Sequence, residues 1–87
     1  MLVEVRQEHI DKGRPLSIYS CPVAHALQDQ TGELAYVSQN YCLVNGKDID
    51  LPPLVREFIR KYDEGSTVYP FSFNLELENE DSRIIVR

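Results

Sequence analysis

Tyr69-Pro-Phe-Ser-Phe-Asn-Leu-Glu-Leu77 is the stretch on which the reading of this chain turns. Tyr69, Phe71, Phe73, Leu75 and Leu77 fall on every second position, with Pro70, Ser72, Asn74 and Glu76 between them. Period-two spacing of large apolar side chains predicts a strand buried on one face. Such a face needs a covering layer, and the remaining sequence offers helices to supply it. Pro70 has no N–H to give a ladder, so regular pairing is expected to begin only after it. Phe71 and Phe73 are expected among the most buried side chains.

Ser20-Cys-Pro-Val-Ala-His-Ala-Leu-Gln-Asp-Gln-Thr-Gly32 carries helix punctuation at both ends. Ser20 is the expected cap, Pro22 suits the first turn, and Gly32 supplies a left-handed stop. Val23, Ala24, Ala26 and Leu27 form its apolar stripe. A second helix is predicted from Pro53 to Glu64, with Leu54, Val55, Phe58, Ile59 and Tyr62 on one side and Arg56, Glu57, Arg60 and Lys61 opposite. Gln7 to Gly13 reads as a single helical turn closed by its glycine.

Leu2–Arg6 reads as a first strand, and Leu34–Val37 and Tyr41–Val44 as two more. Asn45-Gly46 between apolar flanks is a strong hairpin signal and pairs Tyr41–Val44 with Lys47–Leu51. In that last strand Ile49 and Leu51 face inward while Asp48 and Asp50 face water. Arg83-Ile-Ile-Val-Arg87 adds a short edge strand guarded by arginines. These elements make one α+β domain over residues 1–87. Its mainly antiparallel sheet has roughly four to six strands, with the 69–77 strand inside it and two helices, near 21–31 and 53–63, packed on one face.

The chain has 87 residues, 43% hydrophobic and 26% charged, in the range of an ordinary globular domain. A core this small leaves sheet edges that a two-fold partner would complete, so a homodimer is expected. No apolar run approaches the roughly 20 residues that span a bilayer, and the start lacks the pattern of a signal peptide. A cytoplasmic location and no membrane association are the expectation. Nine Lys and Arg against 14 Asp and Glu give a formal charge of −5, which excludes nonspecific nucleic-acid binding through phosphate contacts. Cys21 and Cys42 are read as free thiols.

Chemistry concentrates at the start of the 20–32 helix. Free N–H groups and the helix dipole converge there, and Ser20, Cys21, Val23, Ala24 and His25 are the candidate ligand-binding residues for an anion such as a nucleotide phosphate. The field also favours the thiolate of Cys21, making it more reactive than Cys42. Cys21 and His25 have the spacing of a thiolate–imidazole pair, but no third orienting group or oxyanion donor accompanies them, so no catalytic residue is assigned. His9, Cys21, His25 and Cys42 form the ligand set of a zinc site without its spacing, and no metal or cofactor is assigned. Glu76, Glu78, Glu80 and Asp81 make an acidic stripe suited to a basic partner.

Cys21-Pro-Val-Ala-His-Ala-Leu27, Asn45-Gly46-Lys47, Leu51-Pro-Pro-Leu-Val-Arg-Glu-Phe-Ile-Arg60, Tyr62-Asp63-x-Gly65 and Pro70-Phe-Ser-Phe73 occur in this order. Together they resemble a group of small uncharacterised bacteriophage and prophage proteins that carry a Cys-Pro-x-Ala-x-Ala-Leu helix and a Pro-Phe-x-Phe strand. The resemblance covers about Val3 to Leu77. It implies an accessory protein in the cytoplasm of an infected bacterial host that acts without catalysis, by binding and blocking a host or defence-system protein. The alternative is a small-ligand protein that binds or sequesters a nucleotide at Ser20–Pro22, as a dimer. The resemblance supplies no functional residue.

Overall fold

The structure is a computed structural model and describes residues 1–75. The elements follow one another as β1 (Leu2–Val5), α1 (Gln7–Lys12), α2 (Pro22–Thr31), β2 (Ala35–Val37), β3 (Tyr41–Val44), β4 (Lys47–Asp50), α3 (Pro53–Asp63) and β5 (Phe71–Asn74). The fold is α+β with antiparallel pairing throughout. Its five described strands are divided between two sheets, β1–β5 and β2–β3–β4. Residues 76–77 of the expected central strand and the expected edge strand over 83–87 lie outside the described residues.

The smaller sheet joins the start of the chain to the Phe-Ser-Phe stretch. Val3 lies opposite Phe73 and Val5 opposite Phe71, and this row faces the core. Leu75 closes the pair by donating its N–H to the Met1 carbonyl at 2.8 Å. Pairing begins at Phe71, directly after Pro70, as the missing N–H requires. Tyr69 lies before the ladder and is 72% exposed, so the alternation of large residues extends further than the strand does. Phe73 is 5% exposed, whereas Phe71 is half-buried in a ring cluster, 4.6 Å from Phe58 and 5.7 Å from Phe73 between centroids.

α2 sits between the two sheets, touching both β1 and β2. Val23, Ala24, Ala26 and Leu27 are all fully buried. The alanines leave the backbone room to approach both sheets, while Val23 and Leu27 each contribute roughly 1.5–3 kcal/mol by burial. Gly32 adopts the left-handed conformation at φ 75° and returns its N–H to the Gln28 carbonyl, ending the helix as its sequence predicts. Cys21, and not Ser20, takes the cap position, because the Ser20 carbonyl accepts from Arg14 and its N–H is held by the Ser17 hydroxyl.

Gly13 ends α1 without a left-handed turn, at φ −72°. Its role is close approach: a Cβ there would lie 2.9 Å from both the His9 carbonyl oxygen and the Pro22 ring. α3 follows Pro52 and buries Val55, Phe58 and Ile59, while Arg60 bridges Glu57 and Glu64 on its wet side. Tyr62 ties α3 to α1 through the Ile10 carbonyl at 3.3 Å.

The β3–β4 hairpin turns at Asn45 and Gly46, both with positive φ, which gives a two-residue loop with Val44 opposite Lys47. Inward of β2–β3–β4 lie Ala35, Val37, Cys42 and Val44, all buried, with Ile49 half-buried beside them. Asp48 and Asp50 are exposed, and Leu51 is buried just past the strand, as the alternation predicts. Among the described residues no helix is long and apolar enough to cross a membrane.

Candidate functional site

The start of α2 is built around the Cys21 sulfur. Sγ accepts the Ala24 N–H at 3.4 Å, and the Val23 backbone also bonds to it. The donors expected to meet an anion therefore have an internal partner, and Val23 and Ala24 are themselves completely buried. Burial raises the Cys21 thiol above its ordinary value, outweighing the lowering by these N–H groups, and the charge of Asp63 pushes the same way. Desolvation thus wins over the helix field, which is the reverse of the thiolate expected from the helix start. His25 is half-buried, and burial, followed by the charge of Lys12, lowers its imidazole. Cys21 feels Asp63 of α3, whereas His25 feels α1, so the two share a spacing but not a surrounding.

Cys21 also lines a shallow cleft of about 240 Å³ with Leu16, Ile18, Val37, Ile59 and Asp63. The Asp63 carboxylate accepts the Leu16 N–H at 2.8 Å, fixing Leu16 in a left-handed conformation at φ 58°. That carboxylate is committed to shaping the loop, and the remainder of the wall is chiefly apolar.

A second group lies between α1 and α2. The ligand atoms of Glu8, His9 and Asp29 fall within 4.8 Å of one another. His9 is completely buried; its Nδ1 accepts the Arg6 N–H at 2.9 Å and its Nε2 meets Asp29 Oδ2 at 2.8 Å. A backbone N–H aimed at Nδ1 leaves the ring proton on Nε2, where it donates to Asp29. A metal on Nε2 would require the proton to move to Nδ1, directly against that N–H. The trio therefore works as a hydrogen-bonded staple between two helices.

The third feature is the outer face of β2–β3–β4. Register places Tyr36, Leu43 and Asp48 in one row across the three strands, with Tyr41 opposite Asp50 in the next. The Tyr36 and Tyr41 rings stack at 6.0 Å between centroids, and Tyr19 meets Tyr36 edge-on at 5.8 Å. Leu43 is 38% exposed, and Leu34 projects from the approach to β2. The hydrogen bond that Tyr41 donates to Tyr36, the electrostatic interaction between the two and then desolvation, with Asp48 adding to them, raise the Tyr41 phenol. Gln28 fastens this face to α2, donating to the carbonyls of Tyr19 and Ala35 at 3.1 and 3.2 Å.

Sequence reading placed Asp48 and Asp50 in water but missed the tyrosines as a surface. The available signal was that Tyr36, Tyr41 and Leu43 are large residues interleaved with an equally apolar inner set, giving strands apolar on both faces. The expected acidic stripe, Glu76, Glu78, Glu80 and Asp81, lies outside the described residues. In comparisons with known proteins, the chain matches no protein-family model, no curated protein and no solved structure.

Proposed function

We propose that this chain is a small accessory protein of the phage type that acts without catalysis, by occupying the surface of a host or defence-system protein in the cytoplasm of an infected bacterium. The observation that carries this reading is the outward cluster of Tyr36, Tyr41 and Leu43, apolar and aromatic area on a sheet face where solvated strands usually carry polar residues. Tyrosines are favoured in protein interfaces because a rigid ring buries much area for little lost freedom. The nucleotide alternative draws less support: its expected donors at Val23 and Ala24 bond to the Cys21 sulfur. The same bond and the raised thiol weigh against Cys21 as a nucleophile.

Native mass spectrometry of the protein purified from its own host tests the reading, with Leu43→Lys as the comparison. A protein that co-purifies with wild type and is lost from Leu43→Lys is the expected result. A nucleotide retained equally by both would replace this reading with the ligand-binding one.

A further inference from the structure

We propose that the outer face of β2–β3–β4 receives a basic, arginine-bearing extended segment of the partner, its guanidinium groups lying on the Tyr36 and Tyr41 rings and its charge meeting Asp48 and Asp50. This rests on the binding reading above and names the chemistry of the partner.

The face is polarised across the sheet. Aromatic surface lies on β2 and β3, and carboxylates lie on β4, roughly 5 Å from β3 and roughly 10 Å from β2. A planar cation on a three-methylene stem reaches a ring and a carboxylate on adjacent strands at once: arginine stacks on aromatic faces and forks to carboxylates, which a compact ammonium does less well. Among the described residues neither Asp48 nor Asp50 is held in an ion pair, so both are open to an incoming cation. Lys47, the basic residue of β4, pairs with Val44 in the inward row. The formal charge of −5 adds long-range attraction for a basic segment and repels nucleic acid.

Edges add direction. Val37 gives its N–H to the Ile18 carbonyl, so the β2 side is covered by the preceding loop. β4, among the described residues, pairs only with β3. A second copy fits this edge poorly. A two-fold axis perpendicular to the sheet keeps outward residues outward and sets Asp48 against Asp48 or Asp50 of the other copy, a like-charge contact that edge strands use to prevent self-pairing. A segment alternating arginine with apolar residues instead opposes each carboxylate with a cation.

The test is an amide NMR titration with a short peptide alternating arginine and valine, beside the same peptide with glutamate for arginine. Expected are shifts centred on Tyr36, Tyr41, Leu43, Asp48 and Asp50, weakening with salt, and about tenfold weaker binding by Asp48→Asn/Asp50→Asn. Equal binding of the glutamate peptide, or by the double variant, overturns the proposal. Concentration-dependent shifts at this face without peptide overturn it in favour of a second copy. In the native-host purification, a co-purifying protein lost from Leu43→Lys but kept by the double variant refutes the basic partner while sparing the binding reading. Retention by both variants refutes the two together. Unchanged melting temperatures of the exposed-site variants show that folding is not the cause.

Discussion

His9 Nε2 and Asp29 Oδ2 lie 2.8 Å apart, joining α1 to α2 through a ring that is wholly buried at one end of the bond and a carboxylate that is half in water at the other. The Arg6 N–H on Nδ1 fixes which nitrogen carries the proton. Replacing His9 by alanine removes both bonds and leaves a void and an unpaired N–H. We expect a loss of about 2–4 kcal/mol, read from urea unfolding. A loss under about 0.5 kcal/mol would show that the staple carries no weight.

The same pair sets an acid dependence. The hydrogen bond from His9 holds the Asp29 carboxyl below its ordinary value of 3.8. A depressed folded-state value gives stability that is present above the unfolded value and lost as pH falls through the folded one. Asp29→Asn keeps an acceptor for Nε2–H but cannot titrate. Its melting temperature should therefore fall less steeply than that of wild type below about pH 4. Parallel acid profiles for the two proteins would remove Asp29 from the explanation.

Phe73 and Tyr69 were equivalent by periodicity and are opposite in structure, at 5% and 72% exposure. Phe73→Ala should cost about 3–5 kcal/mol, near the whole stability of a domain this small. Tyr69→Ala should stay within about 0.5 kcal/mol. Melting curves that rank the two variants the other way would move the strand.

What was legible in the sequence was local. Gly32, Pro22, Pro53 and the Asn45–Gly46 turn act through backbone torsions of their own residues, so α2, α3 and the β3–β4 hairpin could be read directly. The division into two sheets could not, because β1 finds β5 across almost the whole described chain and alternation does not say which strand a strand will meet. Alternation also ran through Tyr69, where the ladder had stopped. The Tyr36–Leu43–Asp48 row needs the register of three strands, which no single stretch encodes. At α2 the residue types were right but the cap was one position late, since bonds from Arg14 and Ser17 engage the Ser20 backbone.

Gly13 tests a packing claim distinct from turn formation. An added methyl would press on the His9 carbonyl and the Pro22 ring, both at 2.9 Å. Gly13→Ala should therefore lose about 1–3 kcal/mol although φ is ordinary for alanine. Adding Pro22→Ala should recover part of that loss, a coupling of at least about 0.5 kcal/mol in a double-mutant cycle. Strict additivity would place the strain elsewhere.

The cysteines give the last prediction. Both are buried, and burial followed by the charge of Asp48 raises Cys42 from 9.0 to about 11. A raised folded-state value means that the neutral thiol is the form the fold accepts. That contribution is complete below the unfolded value and is lost as pH rises through the folded one, so the window lies between pH 9 and 11. Cys42→Ala removes the titration at the cost of a small void. It should be less stable than wild type at pH 7 by about 1 kcal/mol, with the gap narrowing as pH rises through that window. Alkylation reads the same burial kinetically: at pH 8 both thiols should react far more slowly in the native protein than in urea, because reaction waits for local opening. A constant stability gap across the alkaline range, together with native Cys42 alkylating as fast as the unfolded chain, would mean that Cys42 is not sealed beneath β3.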